Sequence, residues 1–113
     1  MLASIEAWIL GSRGERLIEA YIRGDRFARD RVGTLDKLDH LQIMLRDVLL
    51  TQTGATGVAF DLDRATRIGA RFRSGAGGWH RALVATQQCA RDLTGNIRPR
   101  LAMQHMVNQW PTQ

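Results

Sequence analysis

The side chains able to do chemistry in this 113-residue chain are few, and their spacing gives them little to do. His40, His80 and His105 lie far apart. Asp36, Asp39 and His40 fall on one expected helix, yet Asp36 and His40 supply only two ligands at i and i+4, short of a metal site. Cys89 sits among Gln87, Gln88, Ala90 and Arg91 on an amphipathic stretch, where a lone cysteine reads as a small core filler rather than a nucleophile. The run Ser74-Gly75-Ala76-Gly77-Gly78-Trp79-His80 is glycine-rich, but it lacks the Lys-Ser/Thr ending of a phosphate-binding loop and follows no strand. Trp8, Trp79 and Trp110 each fall near the edge of an expected helix on its apolar side, which favours packing over base stacking. No acid, base and nucleophile come together, so no catalysis, metal or cofactor is expected.

Two stretches are more distinctive. Gln42 to Gly54 places the adjacent pair Arg46-Asp47 inside the most apolar segment of the chain, where a charge needs a partner. Leu93 to Ala102 offers Asn96 before a proline-started helix, with Arg100 in its first turn. Together Arg46, Asp47, Asn96, Pro99 and Arg100 read as a structural lock, in which Asp47 pairs with Arg100 and Asn96 satisfies loop amides.

Charge is the unusual feature of the composition. Sixteen basic residues against eleven acidic ones give +5, and Lys37 is the only lysine. An arginine bias of this kind follows from a GC-rich genome as readily as from nucleic-acid binding, which recruits both residue types. The arginines run from Arg13 to Arg100, many with an acid close by, as on solvated helix faces. The best candidate for a nucleic-acid contact is Arg64, Arg67, Arg71 and Arg73, at spacings of three and four on one expected helix.

The elements that carry these residues read as helices throughout. Ala3, Ile5, Trp8 and Ile9 suggest a short first helix, and Leu17, Ile18, Tyr21 and Ile22 give the inner face of a second over 16–27, with Gly11 and Gly14 between them. Thr34 is the expected N-cap of the third, with Lys37 where a capping-box Glu would sit. Leu35, Leu38, Leu41, Leu45 and Leu49 then make a long stripe that Ile43, Met44, Val48 and Leu50 widen, so this helix is expected to be central. Gly54 and Gly57 suit its end, and Val58-Ala59-Phe60 is too short for a strand. Asp61 or Asp63 can cap a fourth helix with Ala65, Ile68 and Phe72 inward, closed by the glycines of 74–78. Leu83, Thr86, Ala90 and Leu93 mark a fifth of about 16 residues from Trp79. Pro99 opens the last, with Ala102, Met103, Met106, Val107 and Trp110 inward. The expectation is one all-α domain over 1–113, a compact bundle of five to six helices with no repeat period.

Length and composition agree with that. A chain this long can bury one core without staples, and 44% hydrophobic with 24% charged residues is ordinary for a globule. One cysteine, no run of about 18 apolar residues and no basic leader at the start fit a cytoplasmic protein with no membrane contact.

The two distinctive stretches also carry a resemblance. Leu45-Arg46-Asp47-Val48-Leu49-Leu50 with Gly54, followed by Leu93, Asn96 and Pro99-Arg100-Leu101-Ala102, resembles the C-terminal collar domain of bacterial DNA polymerase III clamp-loader subunits, delta prime and gamma/tau. The likeness is best over 35–107. It implies a helical domain that joins its counterparts in a five-subunit ring, beside gamma/tau and delta partners, so that ATPase modules can load the sliding clamp onto primed DNA. Arg98 stands where the family often has Asn, and the loop at 75–78 is looser than the family's. The chain carries no Walker A motif, arginine-finger motif or zinc-binding cysteine set, so by itself it is not expected to hydrolyse ATP. DNA contact is then expected only through the assembled complex.

A collar works by burying apolar helix faces between neighbours. Ile43, Met44 and Leu50 on the long helix, with Leu101, Met106 and Trp110 on the last, exceed what a bundle of this size must bury and mark the expected partner surface. The alternative is a small basic helical module that binds nucleic acid directly.

Overall fold

Ser12 and Glu15 set the first corner of the chain. In the computed structural model, which describes residues 2–113, α1 (Leu2–Leu10) and α2 (Arg13–Asp25) meet at Gly11-Ser12. The Ser12 hydroxyl accepts the Glu15 N–H at 3.2 Å and the Glu15 carboxylate accepts the Ser12 N–H at 2.9 Å. This reciprocal capping box satisfies two amides that a helix start leaves without partners, and it holds the Glu15 carboxyl below its usual range. α2 therefore begins three residues before the expected start, with Gly14 inside its first turn rather than in the break.

The same logic moves the start of the long helix. Asp30, not Thr34, caps α3 (Arg31–Thr53) by accepting the Gly33 N–H at 3.2 Å, and Thr34 lies buried within the helix. Gly54 stops α3 in the left-handed conformation, φ 83°, which a glycine adopts at no steric cost. A 3-10 turn over Thr56–Val58 leads to α4 (Leu62–Gly69), where Asp61 accepts the Arg64 N–H. α5 (Ala76–Leu93) absorbs Gly77 and Gly78 into its first turn, and α6 (Pro99–Asn108) opens on Pro99 as expected. The described residues are all-helical, with six α-helices and no strand.

At about 34 Å, α3 nearly spans the 38 Å long axis of the molecule. Leu38, Leu41, Met44, Leu45 and Val48 line its buried side, against which α5 brings Trp79, Ala82 and Cys89, and α4 brings Ala65 and Ile68. α6 closes the core with Ala102, Met103, Met106 and Val107 and packs on both α5 and α2.

α2 keeps only part of its expected inner face, with Leu17 packed partly buried against the core and Ile22 half-buried. Ile18 and Tyr21 are 64% and 47% exposed, while Arg16, Ala20 and Gly24, each one helical turn from the next, face inward. Close approach to α6 is the reason. A Cβ on Gly24 would stand 2.7 Å from the Arg100 Cα, nearer than real carbon atoms come.

Arg16 is the second reason. Only 3% exposed, it donates to the Ile9 carbonyl from Nε and Nη2 and to the Pro111 carbonyl from Nη1. Its guanidinium lies over the rings of Phe72 and Trp110, at 5.4 and 5.6 Å from their centroids. Trp110 meets Trp8 edge to face at 5.2 Å, and the Trp8 indole N–H donates to the Arg16 carbonyl. Burial pushes the Arg16 pKa down to about 10, which still leaves it cationic at neutral pH.

Two predictions follow from this packing. Alanine is better than glycine in a helix by about 1 kcal/mol, but overpacking backbone against backbone costs roughly 1–3 kcal/mol, so Gly24→Ala should lower the melting temperature by several degrees. Gly14→Ala has open space around its Cβ and should raise it, so two alanines in one helix are expected to act with opposite sign in thermal denaturation. Arg16→Lys keeps the charge but loses the fork that reaches two carbonyls, and should cost about 2 kcal/mol in urea unfolding. A lysine variant as stable as the parent would show that charge alone matters at this position.

Candidate functional site

Asp47, on the buried side of α3, is 1% exposed. Its Oδ1 accepts the Phe60 N–H at 3.0 Å and its Oδ2 accepts the Asp61 N–H at 2.9 Å. The expected pairing with Arg100 is not made: two consecutive backbone amides hold Asp47, and the Arg100 guanidinium is engaged elsewhere. Arg100 lies on the other side of the bundle, where its Nη1 donates to the Tyr21 hydroxyl at 3.1 Å and its guanidinium stacks over the Tyr21 ring at 5.0 Å. Arg46, one residue from Asp47 and so about 100° around the helix, is exposed beside Ile43, Leu83 and Gln87. Asn96 is exposed as well, and the turn before it closes through its own backbone, Thr94 N–H to Arg91 and Gly95 N–H to Asp92. Of the five lock residues, Asp47 and Pro99 hold structure, and they do so separately.

What Asp47 holds is a projection. Val58, Phe60 and Leu62 are 61%, 76% and 41% exposed, on a segment whose backbone is pinned to α3 at Phe60 and Asp61. Asp61 extends the chain of contacts by capping α4 and lying 3.7 Å from the Arg64 guanidinium.

The expected partner surface divides in the same way. Met44, Met106 and Trp110 belong to the core, at 1%, 0% and 4% exposure. Met44 lies three residues after Leu41 and four before Val48, which puts it on the same inward stripe. Met106 follows Met103 at the same spacing, and Trp110 is held by Arg16, by Trp8 and by its indole N–H donating to Thr86 Oγ1. Ile43 at 38% and Leu101 at 59% do face outward, and Leu50 is half-buried. Leu101 faces a groove of about 570 Å³ between α2 and α6, with Tyr21, Phe27, Pro99, Arg98 and Arg100 around it.

The arginine row does not form one face. Arg64 is 6% exposed and packs against the protein. Arg67 gives two hydrogen bonds to Glu6 of α1, at 3.0 and 2.8 Å, and these donors hold the Glu6 carboxyl below its usual range. Arg71 and Arg73 are exposed but lie beyond Gly69, where α4 has ended, so the helical spacing that would align them is lost.

Cys89 is 2% exposed with its sulfur 3.5 Å from that of Met103, and burial pushes its thiol up to about 12. A thiol in that state is neither nucleophile nor ligand at neutral pH. His40, on α3, bonds the Asp36 carbonyl through Nδ1, and His80 and His105 stand on α5 and α6. Among the described residues no three His, Cys, Asp or Glu side chains gather where a metal ion would fit, and no helix is long and apolar enough to cross a membrane.

No family model, curated protein or solved structure matches the chain. The surface offers a pinned aromatic projection, a groove rimmed by arginines, and isolated apolar residues on α2 and α3.

The role of Asp47 is open to direct test. Asp47→Asn replaces one of two carboxylate acceptors with a donor that faces an N–H, so it should cost about 2 kcal/mol of stability. Arg100→Gln, which loses only an exposed contact to Tyr21, should change the melting temperature little. Equal losses in the two variants, with no additivity in the double variant, would restore the Asp47–Arg100 pairing.

Proposed function

We propose that this chain is a non-catalytic oligomerisation domain of a DNA polymerase III clamp-loader subunit, of the delta prime type, that joins the ring loading the sliding clamp onto primed DNA. The observation that carries the reading is the pair of motifs in their helical setting. Leu45 to Leu50 lie on α3, which ends at the left-handed Gly54, and Asn96 to Ala102 span the loop into α6 and its first turn. Their order and separation are the features on which the resemblance rests.

The surface chemistry supports assembly over catalysis. Eleven large apolar residues are exposed beyond a third of their surface, on a molecule whose core is already filled by its own tryptophans and methionines. Scattered singly such residues are ordinary on a protein surface, but where they stand together, as Val58, Phe60 and Leu62 do, they suit a partner face. In this reading Ile43, Leu50 and Leu101 meet neighbouring gamma/tau or delta subunits, and any contact with DNA is made by the complex. ATP hydrolysis belongs to other parts of the assembly.

The test is size-exclusion chromatography with light scattering, using the chain with gamma/tau and delta from the same organism. A stable complex is expected, and because apolar contacts carry it, raising salt to about 0.5 M should not dissolve it. Ile43→Glu should weaken the complex while leaving the helix content unchanged. A chain that ignores those subunits and instead binds primed DNA at low salt, with affinity falling steeply as salt rises, would replace this reading with that of a nucleic-acid-binding module.

A further inference from the structure

The groove between α2 and α6 is lined by basic and apolar groups, and the projection before α4 carries an exposed aromatic ring beside acidic ones. The groove exists because Gly24 lets α6 approach α2 so closely that the Arg100 backbone rests on it. Phe27 is nearly buried at its floor, and Tyr21 and Leu101 stand at its sides. Arg98 and Arg100 line it beside one acid, Asp25, and Arg31, outside the lining, stacks over the Phe27 ring at 5.4 Å. About 570 Å³ is ample for an aromatic side chain.

The projection offers the opposite. Phe60 presents a 76% exposed ring between Val58 and Leu62, and it is followed by Asp61 and Asp63. Asp63 is exposed, in the first turn of α4. Because Asp47 fixes the backbone at Phe60 and Asp61, docking has only the ring's own rotamer left to order there. The projection packs on α3, and α4 on α3 and α1, whereas the groove belongs to α2 and α6, so the two surfaces are built by different helices.

We infer that this chain associates with a second copy of itself head to tail, with Phe60 of one molecule seated in the groove formed by Tyr21, Phe27 and Leu101 of the next, and Asp63 facing Arg98. The contact is heterologous, so each molecule in a pair keeps one free projection and one free groove, and growth can continue. Two chains of charge +5 repel at long range, and this repulsion is screened at about 0.15 M salt, where the Debye length is roughly 8 Å. The inference stands apart from the clamp-loader reading, since it concerns the chain alone.

Light scattering at that salt, over roughly a hundredfold range of concentration reaching about 1 mM, reads the association directly. The weight-average mass is expected to climb above the 12.7 kDa of one chain as concentration rises. Phe60→Glu and Leu101→Glu should each remain monomeric, with Arg98→Glu as a second groove variant and circular dichroism checking that each stays helical. An equimolar mixture of Phe60→Glu and Leu101→Glu has one intact projection and one intact groove, and should form a dimer of twice the monomer mass and go no further. A parent chain monomeric throughout, a Phe60→Glu variant that still associates, or a mixture that yields no dimer would each overturn the inference. A parent that is monomeric alone yet joins gamma/tau and delta would leave the clamp-loader reading standing.

Discussion

A guanidinium buried without a carboxylate is the constraint on which the rest of this structure depends. Removing an ion from water costs several kcal/mol even after relaxation, and Arg16 recovers that cost from carbonyl oxygens and aromatic faces rather than from an opposite charge. Each partner comes from a different part of the chain. Ile9 lies at the end of α1, Phe72 in the connection between α4 and α5, and Trp110 and Pro111 follow α6. The Ile9 carbonyl is one of those a helix end leaves without an internal partner, so the arginine caps α1 while drawing the C-terminal tail onto it. The beginning and end of the described chain are thereby fixed to each other, and α1, α2 and α6 cannot rearrange independently.

From that fixed point the orientation of α2 follows. With Arg16 inward, Ala20 and Gly24 one and two turns later are inward too, and these small residues permit the close crossing with α6. Ile18 and Tyr21 are then turned to solvent. An apolar exterior on α2 is thus a consequence of a charged interior, an inversion of the usual helix pattern.

The same inversion explains what was legible in the sequence. Helices whose burial is decided by apolar periodicity are legible: the long stripe of α3, α6 with its proline start, and α5 in part, where Thr86 and Leu93 are buried, Leu83 and Ala90 are half-buried, and Trp79, Ala82 and Cys89 complete the inner face. Local chemistry is legible in the letters too: Asp61 caps α4, and Ser12-x-x-Glu15 is a capping-box signature at the start of α2. α2 departs from its apolar pattern because its inner face holds an arginine, an alanine and a glycine, and no count of large apolar residues selects those. Asp47 shows the limit for sites. Its neighbours on the helix signalled a charge in need of a partner, but sequence spacing favours a side chain of opposite sign, and backbone amides 13 and 14 residues away carry no letter to announce them.

Asp47 and Arg16 solve one problem in two ways, and the difference bears on function. Both are charges in an apolar setting neutralised by backbone dipoles, which direct a group without committing it to an opposite charge. Arg16 spends its hydrogen bonds inward, closing the core around the tryptophans. Asp47 spends its own on a loop at the surface, and the result is a rigid exposed segment rather than a buried one. An apolar side chain on a mobile loop loses much of its binding energy to ordering, but one held by two charge-assisted hydrogen bonds has that ordering done in the fold. The exposure of Phe60 is therefore built by the core itself, through the same helix that carries the Leu45-to-Leu50 motif. A buried carboxylate on α3 thus serves to display an apolar side chain at the surface.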